Sequence, residues 1–258
     1  MTRRKPLFIF FAVIKALFLR EIDTRISIGK SGLFWTFFEP FFQIFVFVAI
    51  HAAISQNTSF DMAIFMAVGF VPFNMFRSIL SSSSGAFNAN MGLFNYKQVK
   101  PIDTIISRAL LELFLTVIIV MIFLCLGLFL GYKHFLPENT LMVFFAYIWL
   151  WVFSISMGLL AAIGNTFFVS FGKLVSISTF ALLIFSAVFY SLINLPPVAQ
   201  DILLYNPLVH FIEMIHGSYM YELDTRFVDY NYLLLWTVIP LFIAMWLYGL
   251  LEKRIVSQ

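Results

Sequence analysis

The chain has 258 residues, 62% of them apolar and 11% charged, with 16 Lys and Arg against 13 Asp and Glu for a net charge of +3. So few charges cannot solvate a globular surface of this size, which excludes a soluble protein and, with no basic patch on a soluble face, a nucleic-acid partner. A spanning helix takes about 20 apolar residues, leaving room for six and their loops in one all-α integral membrane domain over residues 1–258. The single cysteine, Cys125, stands inside the apolar run from Ile105 to Leu130, so no intrachain disulfide forms.

At the N-terminus, Arg3-Arg4-Lys5 precede an apolar stretch from Leu7 that Lys15 interrupts and that Arg20, Glu21, Asp23 and Arg25 follow. Its uninterrupted part is too short to span, and no small-x-small cleavage site comes after it. Residues 7–27 are therefore predicted as an amphipathic helix in the cytoplasmic headgroup layer. Gly29 and Gly32 end it and permit a sharp turn. Spans are predicted at 33–54, 62–83, 104–131, 141–164, 174–193 and 231–251. An even number puts both termini on one side. Arg3, Arg4, Lys5, Lys15, Arg20, Arg25, Lys30, Lys97, Lys100, Arg108, Lys173, Lys253 and Arg254 share that side, and Lys133 and Arg226 the other. The asymmetry predicts cytoplasmic termini.

Two connections are longer than turns. The first, 85–103 on the cytoplasmic side, spaces Phe87, Met91, Leu93 and Phe94 among Asn88, Asn90, Asn95 and Lys97, as a short amphipathic docking helix would. The second, 194–230, carries Pro196-Pro197, Pro207 and an apolar run from Leu208 to Tyr221. It is too apolar for a solvated loop and too broken to span, which predicts one or two re-entrant helices whose ends are buried in protein or face water.

Little in the chain suggests catalysis. Gly29-Lys30-Ser31 ends like a phosphate-binding loop, but Thr24 stands where the motif needs its first glycine, so any ATP-driven function would borrow another subunit's nucleotide site. His210, Glu213 and His216 are the only histidine cluster. The two histidines are six apart rather than four, which favours ordinary hydrogen bonding over a metal site. Ser81 to Ser84 could supply hydroxyls, but no histidine lies near and no Gly-x-Ser-x-Gly occurs. Serines at a helix end bond to carbonyls or let helices approach closely.

Ionisable residues within spans are costly, and Glu39, beside Pro40, is the clearest case. It reads either as part of a polar pathway or as half of an ion pair with Arg77 or Arg108. Arg108 and Glu112, four apart, read as a structural pair on one helix face. Trp35, Phe38 and Phe42, with Phe34, Phe37 and Phe41, surround Glu39. They offer either faces for sugar rings or an interfacial belt, and the belt is the reading for Trp149, Trp151, Tyr219, Tyr221, Tyr230, Tyr232 and Trp236.

The block Gly92-Leu93-Phe94-Asn95-Tyr96, Val99-Lys100-Pro101-Ile102-Asp103-Thr104 and Arg108-Ala109-Leu110-Leu111-Glu112 closely resembles the inner-membrane permeases of bacterial capsular polysaccharide ABC exporters of the polysialic acid type. Leu19-Arg20-Glu21-Ile22 with Thr24-Arg25, Glu39-Pro40, and Asn206-Pro207-Leu208-Val209-His210 fit the same family. The resemblance runs from about Ala16 to the last span and is specific in the 92–112 block. Lys97-Gln98 departs from an expected Arg-Pro. The resemblance does not take in the first 15 residues or the stretch from Ala199 to Leu204.

The resemblance implies an ABC-2 exporter fold of six transmembrane helices with an N-terminal interfacial helix, working in the bacterial inner membrane as a homodimer. It implies two cytoplasmic ABC ATPase subunits carrying ATP and Mg, and hand-over of a lipid-linked, usually acidic polysaccharide to a periplasmic adaptor and an outer-membrane channel. By that analogy 85–103 is the coupling segment, with Phe94, Asn95, Tyr96 and Lys97 at the ATPase. Arg77 and Lys100 would line the route of an acidic polymer together with Glu39 and its aromatic neighbours. The expectation is thus a transport subunit with no catalytic residue, bound cofactor or metal of its own. Its rivals are a permease for O-antigen or teichoic acid, a membrane enzyme on lipid-linked sugar, and a passive scaffold.

Overall fold

The computed structural model describes residues 6–27, 32–54, 60–129, 136–168, 170–220, 223 and 225–256. Arg3, Arg4, Lys5, Gly29, Lys30, Ser31, Lys133 and Tyr221, which figure in the sequence reading, lie outside them. Every regular element among the described residues is helical. In lipid a backbone must satisfy its hydrogen bonds within its own segment, and long apolar runs do so as helices.

Helix α1 (Pro6–Ser27) lies along the start of α5 (Pro101–Phe129), with Ile14 and Leu17 buried and Leu7, Phe8 and Phe11 exposed. Helices α2 (Gly32–Ile54), α3 (Phe60–Ser84), α5, α6 (Thr140–Phe167) and α10 (Tyr230–Val256) form the long elements. Among the described residues α3, α5, α6 and α10 are long and apolar enough to cross a membrane. The bundle is built around α3, whose apolar stretch is 72% buried against 28–39% for the other three. Its Phe70, Phe73, Phe76 and Ile79 pack on Leu150 and Phe153 of α6, and Phe76 stacks on Phe153 at 5.8 Å. Near the end of α3 a Cβ added at Gly158 of α6 would stand 2.9 Å from Ser83 Oγ, so the two helices touch through small residues.

The sequence predicts a fifth span over 174–193, but α7 (Phe171–Phe185) has 15 residues and so rises only about 22 Å. The chain then turns through 186–190, with Ala187 at φ 55°. Ala187 and Val188 are apolar because they are fully enclosed by protein, not because they meet lipid, and hydropathy does not separate the two.

Residues 194–230 hold two short helices. Helix α8 (Pro197–Leu203) and helix α9 (Pro207–Tyr219) each begin on proline, whose missing N–H costs nothing at that position, and the Asn206 side chain caps α9 by accepting from the Leu208 amide. Helix α9 packs between α3 and α6 and is buried without interruption from Leu208 to His216. A broken helix at this depth requires such a protein surround.

Between α3 and α5 the chain makes one helical turn, α4 (Ala86–Ala89), and a 3-10 turn at Met91–Leu93. Pro101 then opens α5, with Asp103 accepting the Lys100 amide at 2.9 Å. Lys97, Lys100, Arg108, Lys173, Lys253 and Arg254 gather at this end of the bundle, the basic end. Glu138, Asp201, Arg226 and Asp229 lie at the opposite end.

Candidate functional site

A polar cleft of about 550 Å³ opens in the half of the bundle nearer the basic end. It is built from Arg25 of α1, Glu39 of α2, Asn74, Arg77, Ser78, Ser81 and Ser82 of α3, Glu112 of α5, and Ser176, Thr179 and Phe180 of α7. Helical geometry sets its α3 wall, because Asn74, Ser78 and Ser81 stand at i, i+4 and i+7 and so share one face. The sequence reading missed this stripe, though its period within an otherwise apolar helix was there to be seen.

Glu39 and Arg77, which sequence reasoning singled out separately, meet here. Arg77 donates to Glu39 Oε1 at 2.9 Å, and Gln43, one turn further along α2, donates to the same oxygen at 3.2 Å. Both side chains line the cleft, and the ion pair expected of Glu39 forms with Arg77 rather than Arg108.

The expected pair of Arg108 with Glu112 is not formed. Arg108 Nε donates to Glu21 Oε1 at 3.1 Å, and its Nη1 donates to the Ser82 carbonyl. Glu112 pairs with Arg25. The spacing of four does put both on one face of α5, but that face is covered by α1, whose Glu21 and Arg25 offer each an opposite charge. Arg108 also satisfies a carbonyl left open where α3 ends. Arg20, on the same stretch of α1, donates to Asn90 beside the 3-10 turn. One run of α1 is thus tied to α5, to the cleft and to the 85–100 segment.

Two other assignments change. Lys100 does not reach the cleft; its ammonium lies 4.0 Å from Glu252 of α10 at the basic end. Phe94 is only 6% exposed and clusters with Phe87, Ile105, Leu159 and Tyr248, so it anchors the 85–100 segment from within rather than standing on its surface. Asn95, Tyr96 and Lys97 are exposed, with Met91 and Gly92 beside them.

Trp35, Phe38 and Phe42 lie outside the cleft lining. Phe34, Phe38 and Phe42 form a ladder of rings stacked at 5.1 and 5.6 Å along the exposed face of α2, with Trp35 edge-on to Phe38. Phe41 turns inward onto Phe123. Trp149 and Trp151 are helix ties rather than belt residues, since their indole N–H groups donate to Thr237 Oγ1 and the Ala109 carbonyl, each at 2.8 Å. Towards the opposite end an apolar cavity of about 210 Å³ is lined by Ile44, Val68, Val71, Phe123, Leu124 and Tyr147 among others.

On α9 the two histidines turn to different partners. His210 Nε2 meets the Leu204 carbonyl at 2.8 Å and its Nδ1 accepts the Asp229 amide. His216 stacks on Phe65 and its Nε2 meets the Phe65 carbonyl at 3.1 Å. Burial lowers His216 to about 4 and raises the Glu213 carboxyl to about 7, the latter against a hydrogen bond from the Leu192 amide. Among the described residues no three His, Cys, Asp or Glu side chains converge as metal ligands.

The family model for the ABC-2 type transporter matches residues 12–220. The chain is 35% identical over 247 residues to the polysialic acid transport protein KpsM of Escherichia coli, with 95% of each chain covered. It is 30% identical over 220 residues to the capsule polysaccharide export inner-membrane protein BexB of Haemophilus influenzae, covering 84% of this chain and 83% of that one. With the protein of the same description, CtrC, of Neisseria meningitidis serogroup A it shares 27% over 248 residues, 95% and 93% of the two chains. A helical membrane bundle holding a polar cleft, a match over most of its length and relatives covered nearly end to end agree: the chain belongs to the ABC-2 type transporter membrane family.

Proposed function

We propose that this chain is the membrane-spanning permease subunit of an ATP-driven exporter that moves capsular polysaccharide from the cytoplasm across the bacterial inner membrane. The observation that carries the reading is the 35% identity to a polysialic acid transport protein over 95% of both chains. The polar cleft supports it, because hydroxyl, amide and ionised groups inside an apolar bundle are costly unless water or a polar cargo meets them.

In this reading the basic end faces the cytoplasm, as the excess of Lys and Arg there favours. Two copies form the conduit and two ABC ATPases bind below, supplying ATP and Mg. The ATPase meets the exposed rim of Met91, Asn95, Tyr96 and Lys97, while buried Phe94 transmits its push to α5, α6 and α10 through the apolar cluster around Ile105, Leu159 and Tyr248. Arg20 on Asn90 passes the same movement to α1, and Arg25 carries it to the wall of the cleft. A periplasmic adaptor and an outer-membrane channel receive the polymer.

The test is affinity purification of the tagged chain from its native membrane with mass spectrometry of what accompanies it. An ABC ATPase in equal amount together with a periplasmic adaptor is the expected result. An ATPase with no adaptor would move the reading to another glycan such as O-antigen or teichoic acid, and no ATPase would overturn it.

A further inference from the structure

We infer that the cleft grips its cargo through hydroxyl and amide hydrogen bonds and not through net charge, so that neutral and acidic glycans are held alike. The inference rests on the export reading and gives that site its recognition chemistry. An acidic polymer would be drawn by a field of one sign, but the cations lining the cleft are each matched. Arg77 is paired with Glu39 and Arg25 with Glu112, so the lining sums to zero charge. Arg108, nearby, is likewise held by Glu21.

The side chains left open are uncharged. Asn74, Ser78 and Ser81 run for about 10 Å along one face of α3, at 1.5 Å per residue, and their side chains have no hydrogen-bond partner among the described residues. Their neighbours Ser82 and Ser84 are satisfied within α3, by the Ile79 and Ser81 carbonyls. Across the cleft, Ser176 and Thr179 donate to carbonyls of α7 itself, at 3.1 and 3.0 Å, and keep oxygen lone pairs for a guest. One wall therefore offers donors and acceptors, the other acceptors. A sugar hydroxyl is both donor and acceptor and fits either wall. Phe180 adds an aromatic face on the same side as Thr179.

The experiment measures binding of two heptasaccharides, a neutral glucose oligomer and a sialic acid oligomer, to the purified full-length chain in lipid nanodiscs by isothermal titration calorimetry. Titrations are run at low salt and at a salt concentration that screens exposed charges within a few ångströms. The expected result is two dissociation constants within about threefold of each other, each moved less than about twofold by salt. Asn74→Leu, Ser78→Ala and Ser81→Ala combined should weaken both probes about tenfold or more. If the triple variant does not elute as a single species, Ser78→Ala alone should weaken both about threefold. Tighter binding of the sialic acid oligomer by about tenfold that high salt abolishes would overturn the inference, as would no binding of either probe to the unmodified chain. Neither outcome touches the export reading, which stands or falls on the co-purified ATPase.

Discussion

Replacing Glu213 with glutamine should change the shape of the pH–stability curve, because Glu213 and His216 currently cancel. Both are buried on α9, at 3% and 0% exposure. Glu213 rises from its ordinary 4.5 to about 7, so between those values the folded chain binds a proton the unfolded chain has lost, and its contribution to stability is lost as pH rises. His216 falls from 6.5 to about 4, so over almost the same interval the unfolded chain binds the extra proton and stability rises with pH. Each spans roughly 2.5 pH units at about 1.4 kcal/mol per unit, on the order of 3 kcal/mol with opposite signs. The unmodified protein should therefore be flat from about pH 4.5 to 6.5 with respect to this pair. Glu213→Gln removes one arm, so its stability should climb by about 1.4 kcal/mol per unit through that window and level off above 6.5. The assay is thermal unfolding in nanodiscs followed by intrinsic fluorescence from pH 4 to 8, with His216→Gln as the mirror case, whose stability should fall from 4.5 to 7. Parallel curves for the unmodified protein and both variants would refute the reasoning.

Other outcomes can be stated more briefly. Arg25→Gln leaves Glu112, 7% exposed, without its cation, and should cost about 3 kcal/mol in thermal unfolding; exchanging the charges as Arg25→Glu with Glu112→Arg should recover more than half. Phe94→Ala removes a ring from a closed cluster and should cost about 3–5 kcal/mol. Tyr96→Asp, at an exposed position, should change stability by less than about 0.5 kcal/mol yet abolish recovery of the ATPase in a pull-down. Gly158→Val brings a side chain against Ser83 and should lower stability by about 1–3 kcal/mol, a loss that Ser83→Gly relieves.

The long helices were legible because lipid leaves an apolar run of 20 or more residues little choice of structure, and α3, α5, α6 and α10 follow the hydropathy to within a few residues at most of their ends. What hydropathy could not distinguish was lipid from protein as the apolar surroundings. The stretch 186–188 read as membrane and is a buried turn, and Trp149 and Trp151 read as interfacial and are half-buried ties between helices. Ion pairs fared similarly. Within one helix the only neighbours a sequence displays are three or four residues away, which suggested Arg108 with Glu112, whereas tertiary packing supplied each with a stronger partner from α1. At the cleft, Glu39 and Arg77 drew attention because charge inside a span is expensive. Asn74, Ser78 and Ser81 did not, since each alone is cheap and only their shared face makes a wall.

The two ion pairs that fasten α1 also bear on how the protein is made. Glu21 and Arg25 each reach a partner 87 residues further on, Arg108 and Glu112. At about 5–20 residues per second a ribosome needs on the order of 4–17 s to supply them. Throughout that interval α1 carries unmatched charges of both signs, which headgroups and water can solvate and the bilayer core cannot. Helix α1 is thus retained at the surface where it emerged and docks only once the start of α5 has been made. The same lattice checks topology: were α5 inserted with the opposite orientation, Arg108 and Glu112 would arrive at the far surface and α1 would stay unfastened.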